Sequence, residues 1–97
     1  ALALNPGYDL SWNNLGNVLE ERGDERRAAD AYEKAIALAP YQATYHLNLA
    51  SALARCGDVH RARGALAIAL KLAPELRQVL PGFAEFLPMI GHPDLQF

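Results

Sequence analysis

An internal repeat constrains the fold of this chain more than any other feature. Proline recurs at Pro6, Pro40 and Pro74, in two intervals of 34 residues each. Several independent positions that agree in one register indicate stacked supersecondary units, each of which buries its apolar face against its neighbours. Further equivalent pairs are Gly23 and Gly57, Leu15 and Leu49, Leu19 and Leu53, Ala28 and Ala62, and Tyr32 and Leu66.

Within each repeat, the apolar residues follow helical spacing. Trp12, Leu15 and Leu19 are spaced i, i+3 and i+7, which places them on one face of a first helix. A second set, spaced i, i+4 and i+7 from Ala28, lies on one face of a second helix. Gly16 and Ala28 are small where two antiparallel helices approach most closely. We predict helices at 9–22, 25–38, 43–56, 59–72 and 76–89.

Turn residues set the predicted helix ends. Gly23 follows the first helix, where a left-handed C-cap residue is favoured, and Asp24 then serves as the N-cap of the next helix. Pro40 and Pro74 come just past the second helix of each pair and stop its continuation. The sequence therefore predicts helix pairs that are joined by short turns.

The period and these residues resemble the tetratricopeptide repeat, whose pattern is W-x2-L-G-x2-Y, then A-x3-F, then P. Trp12, Leu15, Gly16, Ala28 and Pro40 match that pattern in the first repeat. The resemblance implies an all-α fold, an α-solenoid of antiparallel helix pairs with two full repeats and partial flanking repeats. Its first helices would line an inner, concave face.

The register divides the chain into one array fragment over residues 1–97. Residues 1–8 are expected to end a preceding repeat, while 9–42 and 43–76 are full repeats. We interpret residues 77–97 as a degenerate partial repeat or a C-terminal capping segment. Pro81 and Pro88 interrupt that last helix, so it should start late or be kinked.

The resemblance also indicates where a ligand would bind. Asn14 and Asn48 occupy the same repeat position, similar to the asparagine ladder of O-linked N-acetylglucosamine transferase-like arrays. An asparagine amide offers two donors and an acceptor, which suits an extended backbone that is read without regard to its sequence. The predicted peptide-binding residues of the concave face are Asn13, Asn14, Asn17, Glu21, Thr44, Asn48, Ser51 and Arg55.

A carboxylate clamp of the chaperone-binding type is not expected. By resemblance, such a clamp uses asparagine at the positions of Asn17 and Asn48, and both are present. It also needs cations where this chain has Asn13, Gln78 and Gly82. Without those cations, the terminal carboxylate of a peptide has no strong partner.

Composition and spacing also argue against other classes of function. The net charge of −2 does not favour nucleic acid, and no apolar run reaches the roughly 20 residues of a membrane span. The lone Cys56 cannot form an internal disulfide, which leaves the compartment open with the cytoplasm favoured. His46 and Cys56 lie about 15 Å apart on one helix and cannot pair in catalysis. We expect no enzymatic activity, no cofactor and no metal, and a partly buried, stacked His46.

These expectations point to a protein–protein interaction scaffold. It would bind an extended peptide or a partner protein in the concave groove. One alternative is the non-catalytic substrate-recognition arm of a larger enzyme, such as a glycosyltransferase. Another is a self-association module, a homo-oligomer that forms through the open ends of the solenoid.

Overall fold

The computed structural model describes residues 7–78, in which helices follow one another in antiparallel pairs. No strand occurs within that range, so the predicted all-α fold is confirmed. The elements are α1 (Tyr8–Glu21), α2 (Glu25–Leu38), α3 (Ala43–Arg55), α4 (Val59–Leu72) and a 3-10 turn (Pro74–Gln78).

The turns inside the two helix pairs are built in the same way. Gly23 and Gly57 have φ values of 82° and 90°, a left-handed conformation that glycine adopts without a steric penalty. Asp24 and Asp58 follow as N-caps, and each carboxylate accepts a bond from the backbone N–H three residues later, at 3.4 and 3.2 Å. The predicted C-cap and N-cap roles of Gly23 and Asp24 are therefore confirmed.

The hydrophobic core runs through both repeats without a break. α1 packs on α2, α2 on α3, and α3 on α4, as expected for a stack of helix pairs. Tyr32 of α2 and Leu66 of α4 are its largest fully buried side chains. Many of the remaining positions are alanine, which lets the helices approach closely. The buried cluster comprises Ala28, Ala29, Tyr32, Leu49, Ala50, Ala52, Leu53, Ala62, Ala65, Leu66 and Leu70.

Gly16 marks the closest approach of α1 and α2. A Cβ atom at this position would lie 2.7 Å from Cδ1 and 2.8 Å from Cζ of Tyr32, well inside van der Waals contact. The equivalent pair in the second repeat is Ala50 and Leu66, and both are buried. The sequence-based prediction that Gly16 is small for packing reasons is therefore confirmed.

The chain departs from the predicted helix boundaries after α4. Residues Pro74–Gln78 form a 3-10 turn, so the α-helix predicted from residue 76 does not begin there. Short 3-10 pieces of this kind are frequent at helix ends. Leu76 still packs against the core. The interpretations of residues 1–6 and 79–97, including the effects of Pro81 and Pro88, lie outside the described residues.

Candidate functional site

Polar side chains of α1 and α3 meet along a line that we call the polar seam. Helical spacing places the seam residues of each helix on one face, and the contacts run from the N-terminal to the C-terminal end of both helices. The three pairs are Asp9 with Tyr45 (O···O 2.7 Å), Asn13 with Asn48 (N···O 2.8 Å) and Glu20 with Arg55 (N···O 3.5 Å). The seam therefore joins the first helices of successive repeats.

At one end of the seam, the carboxylate of Glu20 collects several partners. Tyr32 reaches it from α2 with an O···O distance of 2.6 Å, and Ser51 and Arg55 reach it from α3, each at 3.5 Å. The side chain of Glu20 is only 14% exposed, so these bonds are poorly screened by water. Burial first, and then the bond to Glu20, raises the pKa of Tyr32 far above its ordinary value.

The Tyr32 hydroxyl also lies 2.7 Å from Oδ1 of Asn17. A phenol has a single proton, and the carboxylate of Glu20 is the stronger acceptor for it. If the proton goes to Glu20, the short contact with Asn17 is a hydrogen bond only with the amide turned over, so that its nitrogen donates to the hydroxyl oxygen. Tyr32 thus links the hydrophobic core to the exposed Asn17 on the surface.

In the middle of the seam, Nδ2 of Asn48 donates to Oδ1 of Asn13. Asn13 is only 6% exposed, whereas Asn48 is half-buried. The second repeat has Leu47, a partly buried side chain that packs on the core, at the position of Asn13. The first repeat therefore buries an amide where the second repeat has an aliphatic side chain.

At the other end of the seam, the buried Tyr45 donates its hydroxyl proton to Oδ2 of Asp9. Burial first, and then the bond to the Asp9 carboxylate, raises the pKa of Tyr45 to about 12. Both factors favour the neutral phenol. Tyr45 therefore ties the start of α3 to the start of α1 by a bond that is present at neutral pH.

The structure places the eight predicted site residues in different environments. Asn13 and Asn48 come together, and Asn17, Ser51 and Arg55 surround Glu20 and Tyr32. Ser51 is half-buried. The exposed members are Asn14, Asn17, Glu21, Thr44 and Arg55. Asn14 and Asn48 share a repeat position, yet Asn14 is exposed while Asn48 is bonded to Asn13.

Asp9, Tyr32 and Tyr45 belong to the seam network, but sequence reasoning did not select them. A signal was present on α1, where polar residues recur at positions 9, 13, 17 and 20, close to one helical face. Tyr32 of α2 and Tyr45 of α3 carry no such signal, because their spacing on the helix is that of apolar core residues.

A separate apolar surface, which we call the outer face of α1, lies apart from the polar seam. Tyr8, Trp12 and Leu15 line a shallow pocket of about 300 Å³ there, together with Ser11. The ammonium group of Lys34 lies 4.9 Å from the centroid of the Trp12 ring, within the range of a cation–π contact. The equivalents of Trp12 and Leu15 in the second repeat, His46 and Leu49, are buried.

His46 replaces the tryptophan of the repeat pattern, and its predicted burial is confirmed. Its Nε2 atom lies 3.0 Å from the carbonyl oxygen of Pro40. A carbonyl only accepts, so Nε2 carries the proton and donates it. His46 therefore ties α3 to the turn that precedes it.

Within residues 7–78, no three His, Cys, Asp or Glu side chains are placed to hold a metal ion. None of the helices described in that range is long and apolar enough to cross a bilayer.

Comparison with known families gives a match over part of the chain. Residues 10–42 match the family model of the tetratricopeptide repeat, a range that covers α1 from its third residue, all of α2 and the turn that leads to α3. Neither the curated proteins nor the solved structures gave a match. The register of 34 residues carries the same helix pair through α3 and α4. Residues 7–78 therefore form an all-α helical-repeat fold with a tetratricopeptide match at residues 10–42, a repeat type whose general role is protein–protein interaction.

Proposed function

We propose that this chain is a non-catalytic scaffold that binds an extended segment of a partner protein along α1 and α3. The observation that carries the proposal is the polar seam. Amide, hydroxyl and carboxylate groups follow the line where the two first helices meet, while the core lies on their other side. A partner backbone laid along that line would meet hydrogen-bonding groups over its whole length.

The asparagine amides supply the recognition chemistry. Asn14 and Asn17 are exposed on α1, and Asn48 on α3 uses one of its N–H groups on Asn13. An amide with one free N–H and one carbonyl oxygen matches the C=O and N–H of a peptide unit. This supports main-chain recognition of the kind that the resemblance to O-linked N-acetylglucosamine transferase-like arrays implies.

The charges near the seam disfavour a ligand that carries a free carboxylate. Asp9, Glu20 and Glu21 are acidic, and the one cation among the predicted site residues, Arg55, is paired with Glu20. A free carboxylate on the ligand would therefore meet more like charge than opposite charge. The proposed ligand is an internal, extended segment rather than an acidic C-terminus.

The test uses a peptide recovered by selection on the full chain from a displayed library of random 12-residue sequences. Twelve extended residues reach roughly 40 Å, longer than the roughly 21 Å of a 14-residue helix such as α1. Calorimetry then compares the wild type with Asn14→Ala/Asn48→Ala. Each lost amide bond is worth about 0.5–1.5 kcal/mol, so we expect binding to weaken about tenfold.

The matched control is Asp30→Ala, which removes an exposed polar side chain from α2 and should leave the affinity unchanged. All three proteins should stay helical, but the double variant should melt somewhat lower, because Asn48→Ala leaves the buried amide of Asn13 without its partner. Methylation of alternate backbone nitrogens of the peptide should also weaken binding. Full affinity for the double variant, or the failure of any peptide to be selected, would refute the proposal.

Self-association is a second candidate, favoured by the apolar surface around Trp12 and Leu15 on α1. Its test is sedimentation over a wide range of concentrations, and monomers throughout would dismiss it. A recognition arm of a larger enzyme, such as a glycosyltransferase, would use the same asparagines. It differs from the leading proposal only in requiring a catalytic domain in the same full-length protein.

A further inference from the structure

The buried amide of Asn13 is not required by the fold of the repeat. At the equivalent place, the second repeat has Leu47, which packs on the core. Burial of an amide carries a desolvation cost that must be offset by hydrogen bonds, whereas burial of leucine is favourable in itself. A buried asparagine at this position therefore needs a reason beyond packing, and its contact with Asn48 supplies one.

The contact limits how the amide of Asn48 can point. Its Nδ2 lies 2.8 Å from Oδ1 of Asn13, so one N–H is held against α1. If the Asn48 amide alone turned over, two carbonyl oxygens would face each other. While this bond is made, the groups of the Asn48 amide that do not face Asn13 keep a defined direction, and the entropy of ordering them is lost before a ligand arrives.

We propose that Asn13 is a positioning residue that orients the Asn48 amide for a peptide backbone and does not itself touch the peptide. This inference rests on the proposed function. The side chain of Asn13 is only 6% exposed, which leaves little surface for a ligand. This assigns Asn13 a different role from Asn14, its exposed neighbour on the same helix.

A double-mutant cycle on the full chain tests the inference, with the selected 12-residue peptide as the probe. The variants are Asn13→Leu, Asn48→Ala and the combination of the two. Leucine is the matched choice because the second repeat uses it at the same position. We expect Asn13→Leu alone to weaken binding by about 3- to 10-fold, the effect of one lost hydrogen bond. In the Asn48→Ala background it should have no further effect, because it acts through Asn48.

The other outcomes separate the two proposals. If Asn48→Ala leaves the affinity unchanged, Asn48 does not bind the peptide, and both the proposed role of Asn48 and this inference fail. If Asn48→Ala weakens binding but Asn13→Leu does not, the positioning role fails while the binding face stands. If the two effects add in full, Asn13 contacts the peptide directly and the inference is overturned.

A measurement without peptide distinguishes a change in the Asn48 amide from a general change in the structure. The side-chain NH₂ resonances of Asn48 should differ from those of the exposed Asn14 in the wild type. In Asn13→Leu they should move toward the Asn14 values, while the backbone resonances of α2 and α4 stay in place. Unchanged Asn48 resonances would overturn the inference. If the leucine variant melts far below the wild type, Asn13→Ala replaces it in the same cycle.

Discussion

The two repeats have the same backbone plan but fill the contact between their helices differently. The first pairs Gly16 with Tyr32, and the second pairs Ala50 with Leu66 at the equivalent positions. In the first repeat, the side chain on the first helix is smaller, and the side chain on the second helix is larger, than its counterpart in the second repeat. The difference shows that a single backbone spacing accepts two distinct side-chain solutions when the combined volume is kept.

The pair of Gly16 and Tyr32 also provides a polar group that the pair of Ala50 and Leu66 lacks. The ring of Tyr32 lies against Gly16, and its hydroxyl reaches Glu20 and Asn17 on the seam. Leu66 has no hydroxyl, and the residue equivalent to Glu20 is Ala54. The first repeat therefore connects its core to the candidate binding face through Tyr32 and Glu20, whereas the second repeat has the apolar Leu66 and Ala54 at these two positions.

The largest contrast that we expect between the repeats concerns Leu15 and Leu49, which are 43% and 8% exposed. Leu49→Ala removes a buried side chain and should lower the free energy of unfolding by about 3 kcal/mol. Leu15→Ala should lower it by less than about 1 kcal/mol, because much of its surface already contacts water. Urea denaturation measures both, and equal losses would show that the outer face of α1 is covered in solution.

A smaller effect should follow from exchanging the close-contact residues. Gly16→Ala puts a methyl group into the ring of Tyr32, and we expect a loss of about 2 kcal/mol in denaturation. The reverse change, Ala50→Gly, should cost about 1 kcal/mol from helix propensity alone.

The exchange has its own control. In the background of Tyr32→Leu, which copies the second repeat, Gly16→Ala should become neutral or stabilising. A full 2 kcal/mol penalty in that background, as estimated for overpacking, would mean that the clash with Tyr32 is not the cause.

Alkaline pH should produce a smaller change that is specific to the seam. The pKa of Tyr45 is raised to about 12, and that of Tyr32 is raised as well. At a pH just above 10, both phenols are therefore still protonated in the folded chain, whereas they ionise in the unfolded chain. Their contribution is complete below pH 10, the ordinary pKa of tyrosine, and is lost as the pH rises through the folded pKa. Each tyrosine should lower the stability by about 1.4 kcal/mol per pH unit in that window.

Thermal melting between pH 10 and 12 measures this slope, and melting at pH 9 gives the plateau below it. Tyr45→Phe and Tyr32→Phe should each make it shallower. Tyr41→Phe is the matched control, because Tyr41 is 84% exposed and should leave the slope as in the wild type. A slope that is identical in all four proteins would contradict the hydrogen bonds to Asp9 and Glu20.

The sequence predicts the helices of the described range closely because their ends depend on local chemistry. Gly23 and Asp24 set the turn by left-handed backbone and side-chain capping, and both effects act over three or four residues. The observed bounds of α1 to α4 differ from the predicted ones by one residue at most. After Pro74 the local signals conflict, and there the predicted α-helix from residue 76 is replaced by a 3-10 turn.

The partners across the seam could not be predicted in the same way. The contact of Asn13 with Asn48 joins residues that are 35 positions apart, and it depends on the angle and offset between α1 and α3. Helical periodicity identifies which residues share a face, but it does not fix which side chain of the facing helix each will meet. The same limit applies to Tyr45 and Asp9, which are 36 positions apart.

Trp12 gives the molecule a built-in optical reporter. It is the one tryptophan of the chain, so all indole emission comes from the outer face of α1, beside the ammonium group of Lys34. Any helix or partner that covers this face should dehydrate the indole and shift its emission to shorter wavelength. Fraying that is confined to α3 and α4 should leave the spectrum almost unchanged, so fluorescence and circular dichroism together can follow the two repeats separately.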